Sequence, residues 1–252
     1  MHLERLIAIL EIIAVSGRAI SASEIQKATA LPKPTVYRLC SALAYHQLIE
    51  SDDDNSRYVI GERLIRIALL GKSDVDVRRV AAPILAKSAI DFGETVYLSR
   101  YRTGGIDIIH VETPNDPTRG HIYPGLGALP HNCMASAFVM AAFAEDTFCK
   151  EIINNVIIPF EETQNNAKGS VPANLDHIRK AGFAHIEQLT EFGATSISAP
   201  ISIGTLGATF AIGVVGPNDR LLEETTKNIG KELIEISSQV CGAIQLCNVS
   251  EV

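Results

Sequence analysis

The sequence predicts an α+β fold in two parts, a small helical module closed by a β-hairpin and a larger domain of mixed helices and strands. In the first sixty residues, helical periodicity with cap and turn residues marks three short helices, and two β-prone runs follow. Beyond them, strand-like runs joined by short turns alternate with helical runs, as in an antiparallel sheet covered by helices. A chain of 252 residues with 46% hydrophobic residues can bury both cores.

The stretch from residue 31 to residue 61 predicts a helix followed by a two-stranded wing. Pro34 suits the first position of that helix because its missing N–H would be unpaired there. Apolar residues that must face a core recur at helical spacing, namely Val36, Leu39, Cys40 and Leu43. The opposite side carries Thr35, Arg38, Ser41, Ala42 and Tyr45. Such a face can enter a DNA major groove, where arginine pairs with guanine and hydroxyls reach base edges or phosphates; a solvated amphipathic helix is the alternative.

The segments before this helix supply a helix-turn-helix. Ser21 and Glu24 form a capping box that opens a supporting helix through Ala28, and residues 29–32 make the turn between the two helices. A first helix over residues 3–14 has its apolar side chains on one face and ends at a Ser-Gly pair. The interpretation of the next helix as a recognition helix is strengthened by these neighbours.

The segments after it supply the wing. Residues 48–50 and 57–60 are β-prone, and the acidic, Asn- and Ser-containing run 52–56 between them has a turn composition. Three helices and a hairpin complete a winged helix-turn-helix module.

The net charge of −7 is unevenly distributed, which keeps nucleic acid among the expected partners. Residues 1–72 hold 9 Lys/Arg and 8 Asp/Glu, net +1, and residues 73–252 hold 13 and 21, net −8. The first part is not strongly basic, and the wing-tip aspartates would repel phosphate. We therefore expect DNA affinity to depend on dimerisation and on a few cations, Lys33, Arg38 and Arg57.

Composition also limits the cellular setting. No run reaches the roughly 18 uncharged apolar residues of a membrane span, and the N-terminus lacks the basic start and cleavage site of a signal peptide, so we expect a cytoplasmic protein. The 5 cysteines are scattered and without CxxC spacing, which favours buried free thiols over a disulfide framework or a zinc site. We expect no cofactor and no metal.

The second part begins with a short amphipathic helix over residues 61–71 that could pair with its copy as a linker, and a helix over 76–94 has Pro83 near its centre. Predicted strands follow at 95–101, 106–112, 183–189, 195–203 and 208–216, with turns at 103–105 and 204–207. Predicted helices lie at 134–144, 146–154, 175–180 and 219–247. These elements indicate an α+β sheet covered by helices.

A glycine-rich loop runs directly into the helix near Met134, so that free backbone N–H groups and the positive end of the helix dipole would meet where a carboxylate could bind. The polar residues of this segment are His131, Asn132, Cys133 and Ser136. A second polar set is Thr195, Ser196 and Ser198, and strand alternation sends Ser196 and Ser198 to one face. Two interpretations stay open, hydroxyls that hold a small polar ligand or serines on a solvated sheet face.

An enzymatic role is a weaker alternative. His131 and Cys133 are too close in sequence at a helix start to make a good catalytic pair, and no third orienting group is apparent. The P-loop, GxGxxG, HExxH and GxSxG motifs are all missing from the sequence. His110 and His121 fall in strand-like runs and are expected to be ordinary half-buried residues.

Five pieces of the sequence resemble the IclR-type bacterial transcriptional regulators in order and spacing: LERLIAILE, SASEIQKATALPKPTVYRL, RYVIGERLIRIALLG, LPHNCMASAF and GFAHIEQLTEFGATSISAPI. The resemblance covers essentially the whole chain. It implies a winged helix-turn-helix at 1–61, a linker helix at 62–73 and a GAF-like effector-binding domain at 74–252. It also implies assembly as a homodimer or a dimer of dimers on a pseudo-palindromic double-stranded operator.

The resemblance also implies where the sites lie. DNA contacts would fall on Lys33, Thr35, Tyr37, Arg38 and the wing around Arg57, beside Ser41 on the same helix face. The effector pocket would involve Ala128, Leu129, the loop His131–Ser136 and the strand from Thr195 to Ser198.

Two departures from the family pattern bear on the ligand. Ser136-Ala137 stands where the family usually has Gly-Lys, and Ile212-Gly213-Val214-Val215 replaces a strand that often offers small polar residues. A more apolar pocket would suit an aromatic or longer-chain acid better than a two-carbon acid.

The sequence therefore predicts a ligand-responsive DNA-binding regulator of a catabolic or transport operon, controlled by a small organic acid. The alternative is a small-molecule-binding or thiol-dependent enzyme domain that carries a helical N-terminal module.

Overall fold

The structure of the chain is a computed structural model. It describes residues 2–52, 57–102, 105–116, 120–163, 171–188, 193–202 and 207–246. The chain forms two compact units, residues 1–71 and 72–252. Helices and antiparallel strands occur in both units, which confirms the predicted α+β class. Among the described residues, no helix combines the length and the apolar character that crossing a membrane requires.

The first unit is a three-helix module with a small sheet. Its helices are α1 (His2–Ser16), α2 (Ala22–Thr29) and α3 (Lys33–Tyr45), and its strands are β1 (Ile20–Ser21), β2 (Ile49–Asp52) and β3 (Arg57–Ile60). The strands form an antiparallel sheet in the order β1-β3-β2, with Glu50 opposite Val59 in the β2–β3 hairpin. This is the predicted wing; its turn, residues 53–56, lies outside the described residues.

The core of the first unit is built by the apolar faces of all three helices. The stripe predicted on α3 is buried, and it packs with residues of α1, α2 and the sheet: Ile9, Ile13, Ile25, Val36, Leu39, Cys40, Leu43, Ile49 and Tyr58. Because α3 buries one whole side, its other side is left for solvent or a partner.

Local chemistry fixes how the chain enters α2 and how it leaves the wing. The capping box is present, with the Ser21 hydroxyl accepting from Glu24 N–H and the Glu24 carboxylate accepting from Ser21 N–H. After β3 the chain passes close to the residues that follow α3. A Cβ on Gly61 would lie 2.3 Å from the Gln47 carbonyl oxygen, so only glycine fits there.

Helix α4 (Glu62–Leu70) follows the wing directly, where the linker helix was predicted over 62–73. The Arg63 guanidinium donates to the His46 carbonyl at 3.3 Å, and the side chains of Ile65 and Ile67 are exposed. The division of the chain at Gly71 comes from its packing. The finer domain limits stay a prediction.

The second unit contains a six-stranded antiparallel sheet in the order β6-β5-β4-β9-β8-β7. The strands are β4 (Thr95–Arg102), β5 (Gly105–Glu112), β6 (Gly127–Ala128), β7 (Ala184–Gln188), β8 (Ala194–Ser202) and β9 (Ala208–Pro217). In the central pair, Tyr97 of β4 lies opposite Gly213 of β9, and Ser198 of β8 lies opposite the same glycine. Residues from distant parts of the chain therefore meet at this glycine.

Helices cover both faces of the sheet. Helices α5 (Asp74–Phe92) and α10 (Glu223–Leu246) pack on one face, and α5 runs unbroken through Pro83. The other face carries α6 (Ala135–Phe143), whose residues 135–142 are all buried, and α7 (Asp146–Ile152) and α9 (Val171–Ala181) pack against it. Helix α8 (Ile158–Thr163) comes after α7 in the chain. A helix apolar on every side belongs in the middle of a domain.

Some predicted elements differ from the structure. The helix expected to end at residue 154 continues to Thr163 through a widened turn at Ile153–Ile157, where Ile158 N–H donates to the Ile153 carbonyl. Pro159 follows this widened turn. The strand-like interpretation of His121 is wrong, since residues 120–125 form neither helix nor strand. Predictions at residues 103–104, 189, 203–206 and 247 lie outside the described residues.

We expect the capping box to make the first unit sensitive to acid. A hydrogen bond from the Arg18 guanidinium, followed by bonds from the backbone and hydroxyl of Ser21, lowers the pKa of Glu24 from 4.5 to about 2. A lowered folded-state pKa contributes stability above pH 4.5 that is lost as the pH falls towards 2. The difference in unfolding midpoint between wild type and Glu24→Gln, measured in urea, should therefore shrink over that range. Glu11→Gln, a change at an exposed glutamate of α1, is the control, and a Glu24→Gln difference that does not depend on pH would contradict the expectation.

Candidate functional site

The first candidate site is the exposed side of α3. Lys33, Tyr37, Arg38 and Ser41 are exposed, and Thr35 is partly exposed. The Lys33 ammonium lies 5.9 Å from the centroid of the Tyr37 ring. No described residue forms an ion pair with Arg38. The predicted positions on α3 thus share one accessible surface, opposite the buried stripe.

Arg57 is the first residue of β3, the central strand of the small sheet. Its side chain is exposed, and its guanidinium donates to the Ala19 carbonyl at 3.3 Å. This bond holds Arg57 close to the residue that precedes β1. A cation in that position suits a phosphate contact rather than a base contact.

The second candidate site lies where β8 meets the start of α6. Ser196 and Ser198 point to the face that α6 covers, with Ala135 N–H donating to Ser196 Oγ at 3.3 Å. Ser136 Oγ and Ser198 Oγ are 3.1 Å apart, and the Ser198 hydroxyl also donates to the Ile212 carbonyl at 2.8 Å. The loop residue and the two strand residues are therefore brought together in the interior.

Tyr97 completes this site, and sequence reasoning missed it. Its hydroxyl accepts from Ser136 Oγ at 3.3 Å and donates to the Cys133 carbonyl at 3.3 Å. Tyr97, Ser136, Ser196 and Ser198, here called the hydroxyl network, are each at most 1% exposed. The signal in the sequence was a tyrosine on one predicted strand and a glycine on another. The two residues can be paired only when the register between these strands is known.

The structure separates the remaining predicted effector residues. Ala128 and His131 are exposed, and Leu129 packs against the cluster formed by Tyr97 and Cys133. Asn132 is partly exposed, yet its Oδ1 is buried and without a hydrogen-bond partner among the described residues. Thr195 lies on the opposite face of β8 and donates to Asn218 Oδ1 at 2.9 Å, as alternation requires.

The start of α6 differs from the expected ring of free amides. Cys133 N–H donates to the Pro130 carbonyl at 3.0 Å, and Ala135 N–H is engaged by Ser196. A carboxylate bound here would replace the Ser196 hydroxyl as the acceptor for Ala135, at the positive end of the helix dipole. At Ala135, an anion would therefore bind by exchanging a hydrogen bond.

Cys133 has the surroundings of a structural residue. Burial raises the pKa of its thiol well above the ordinary value, with a smaller lowering from the Tyr97 hydrogen bond. Burial likewise raises the pKa of the Tyr97 phenol, so both groups are neutral. A thiol that stays protonated is a poor nucleophile.

A second set of polar contacts lies on the other face of β4. Arg100 Nη1 donates to the Lys72 carbonyl at 2.8 Å and to Asp74 Oδ1 at 2.7 Å, and its guanidinium lies 5.1 Å from the Phe210 ring centroid. Lys72 Nζ donates to the Ile244 carbonyl at 2.5 Å. The first residues of the second unit are thereby fixed to its sheet and to α10.

Comparison with known proteins decides the family. Residues 71–242 match the family described as bacterial transcriptional regulator IclR C-terminal, and residues 2–53 match the IclR helix-turn-helix domain. The chain belongs to the IclR family. Its members are transcriptional regulators, and with the matched helix-turn-helix domain the protein is a DNA-binding transcriptional regulator.

Curated relatives of this IclR-family chain cover most of its length. The glycerol operon regulatory protein of Streptomyces coelicolor is 28% identical over 226 residues, which are 88% of this chain and 87% of the relative. The transcriptional repressor AllR of Escherichia coli K12 is 24% identical over 245 residues, 97% of this chain and 90% of the relative.

Solved structures support the fold of this IclR-family chain. Pseudomonas aeruginosa HmgR is 22% identical with a TM-score of 0.56, and the match covers 96% of this chain and 97% of that one. The Thermotoga maritima IclR structure is 19% identical with a TM-score of 0.55, covering 96% and 98%. At these identities the likeness concerns the fold alone.

We expect Cys133 to resist alkylation in the folded protein because its thiol is buried and protonated. Cys149 and Cys241 are partly exposed and should react first with iodoacetamide. Peptide mass spectrometry over a time course, with and without denaturant, measures the order. Alkylation of Cys133 in the native protein as fast as that of Cys149 would show that the thiol is accessible and reactive.

Proposed function

We propose that the protein acts in the cytoplasm as a homodimer or a dimer of dimers that regulates a catabolic or transport operon. Residues 1–61 would bind a pseudo-palindromic operator, residues 62–73 would link the domains, and residues 74–252 would bind a small organic acid. The observation that carries the proposal is the accessible polar side of α3, opposite a fully buried apolar stripe, in a chain of the IclR family.

The contacts of α3 divide into reading and positioning. Arg38, in the second turn, carries a guanidinium fork that can pair with guanine O6 and N7 in the major groove. Thr35 and Ser41 offer hydroxyls on the same side, and Lys33 with Tyr37 lies at the N-terminal end, where phosphates approach. Arg57 would contact a DNA phosphate and so position the wing on the duplex.

The hydroxyl network supports the binding of a carboxylate. Serine hydroxyls and the Ala135 N–H can donate to an acid placed between β8 and α6, and the apolar residues around them exclude water. We propose that the acid is bound and not converted. The protonated Cys133 thiol and the neutral Tyr97 phenol supply neither a nucleophile nor a base at neutral pH.

The effect of ligand binding would reach the linker through β4. Tyr97, on one face of this strand, belongs to the hydroxyl network, and Arg100, on the other face, holds the Lys72 carbonyl next to the end of α4. A shift of β4 that accommodates a ligand would change how the first residues after the linker are held. Coupling free energies of this kind are typically 1 to 3 kcal/mol.

We expect Arg38→Ala and Arg57→Ala to weaken operator binding in different ways. Loss of Arg38 should relax base preference at one operator position and cost about 1 to 3 kcal/mol, whereas loss of Arg57 should weaken all sequences similarly. Selection from randomised DNA fragments at fixed salt measures both effects, and Arg5→Ala, on the exposed side of α1, controls for the loss of one charge. An unchanged base preference in the Arg38 variant would show that this side of α3 does not read the groove.

We expect Arg100→Gln to uncouple acid binding from DNA binding. An acid found by a thermal-shift screen of metabolite carboxylates should change operator affinity of the wild type about 5- to 150-fold. The variant should keep both the thermal shift and the operator binding. The ratio of its operator affinities without and with the acid should fall towards one. Asp74 keeps ion pairs to Arg102 and Arg78, so the change leaves no orphaned carboxylate.

Arg102→Gln is the matched control for this experiment. Arg102 also pairs with Asp74 from β4, but no bond from it to the Lys72 carbonyl is seen. Uncoupling in both variants would assign the effect to Asp74 and not to the backbone contact of Arg100. Full coupling in Arg100→Gln would exclude this route altogether.

A further inference from the structure

The ring of Tyr97 lies directly on the backbone of β9. A Cβ placed on Gly213 would lie 2.3 Å from the Tyr97 Cζ and 2.5 Å from its hydroxyl oxygen, distances at which two atoms cannot coexist. Both atoms belong to the far end of the side chain. The tyrosine therefore crosses the sheet from β4 towards β8 and takes the space that any side chain at Gly213 would need.

The outer end of the ring is enclosed as well. Its hydroxyl is 3.3 Å from both Ser136 Oγ and the Cys133 carbonyl, and the ring packs in one cluster with Ile108, Cys133 and Val215. The side chain is 0% exposed. It fills the gap between the sheet and the start of α6, which is where an acid held by the hydroxyl network would place its remaining atoms.

The hydrogen bonds hold the ring in this position. Ser198 donates to the Ile212 carbonyl, Tyr97 donates to the Cys133 carbonyl, and Ser136 donates to Ser198 or to Tyr97. Each of these three hydroxyl protons has an acceptor, so rotating the tyrosine away would leave the Cys133 carbonyl without this donor in the interior. Leaving a buried polar group unpaired is unfavourable.

We propose that Tyr97 is the residue that sets the upper size limit of the effector. The ring occupies the volume that an aromatic acid would need beside Ser136, Ser196 and Ser198, so the wild-type protein takes acids of a few non-hydrogen atoms and excludes benzoate-sized acids. This inference rests on the proposed function of the hydroxyl network as the effector site. It contradicts the prediction of an aromatic or longer-chain acid drawn from the apolar residues of β9 in the sequence.

The volumes agree with this assignment. A buried apolar cavity of about 150 Å³ admits benzene. Truncating a buried tyrosine to alanine removes a phenol ring, which is similar in size to benzene. A close-packed interior refills the resulting cavity only in part. The space left in Tyr97→Ala would be bordered by the hydroxyls of the network at one end and by Ile108 and Val215 at the side.

The test uses the full-length chain and four acids, glycolate and lactate as small probes and benzoate and 4-hydroxybenzoate as large ones. Calorimetric titration and thermal shift are measured for wild type, Tyr97→Ala and Tyr97→Phe. We expect the alanine variant to bind the large acids at least roughly tenfold more tightly than the wild type does. The phenylalanine variant keeps the ring and should exclude them as the wild type does.

Two further variants keep the result interpretable. Tyr101→Ala removes a tyrosine from the same face of β4 where it bonds Glu151, so it controls for general loosening and should gain no affinity for the large acids. Tyr97→Leu fills part of the space, and it replaces the alanine variant if that protein does not fold. It should admit benzoate more readily than the wild type.

The size limit is overturned if the wild type binds benzoate as tightly as Tyr97→Ala does, or if the alanine and phenylalanine variants respond alike. Operator binding measured in parallel separates this proposal from the proposed function. If the variants differ in acid affinity while no acid alters operator affinity, the size limit holds and the regulatory role of the site fails. If no acid binds any variant while operator binding persists, the effector lies elsewhere and both assignments of the site fail.

Discussion

The contact between the Tyr97 ring and the bare backbone of Gly213 is the constraint around which the second unit is arranged. It joins the two central strands, β4 and β9, and the tyrosine hydroxyl continues the contact to the turn before α6. Helix α6 is buried on every side, so apolar packing alone would fix its rotation and height poorly. The bonds from Tyr97, Ser196 and Ser198 to the start of α6 are directional, and they specify one position for the helix.

The same strand carries a second, electrostatic anchor on its other face. Alternation along β4 sends Tyr97 towards α6 and Arg100 towards α5 and α10, three residues apart. Arg100 is almost fully buried, and two oxygen acceptors and the Phe210 ring compensate its charge. A ligand that moves β4 must therefore move this charge or break its bonds. Spatial continuity of this kind makes β4 a physical candidate for transmission, because the strand contacts both the proposed effector site and the first residues after the proposed linker.

Features set by short-range chemistry could be predicted from the sequence. The α3 stripe and the capping box of α2 depend on residues within one or two helical turns, and Ser196 and Ser198 share a face because strand alternation is local. Tyr97 could not be found in this way, because its role depends on a register between strands more than one hundred residues apart. Thr195 was grouped with Ser196 and Ser198 as one polar set, although alternation places it on the opposite face. The extension of α7 past Asn154 was missed because a widened turn has no simple sequence signature.

The charge distribution links DNA binding to assembly. The first 72 residues carry a net charge of only +1, and the second part carries −8, so one copy offers DNA a few placed cations and no broad basic surface. If Lys33 and Arg57 each neutralise one phosphate while Arg38 pairs with a base, log K for one copy falls with log salt with a slope of about −1.8. Two copies on one operator would double the number of phosphate contacts. Once the copies are joined, the second copy binds without a second full loss of translational and rotational freedom. If the chain binds its operator as the proposed dimer, the strength of operator binding therefore depends on what holds the two copies together, and a ligand that alters the geometry of the pair would act on that contribution.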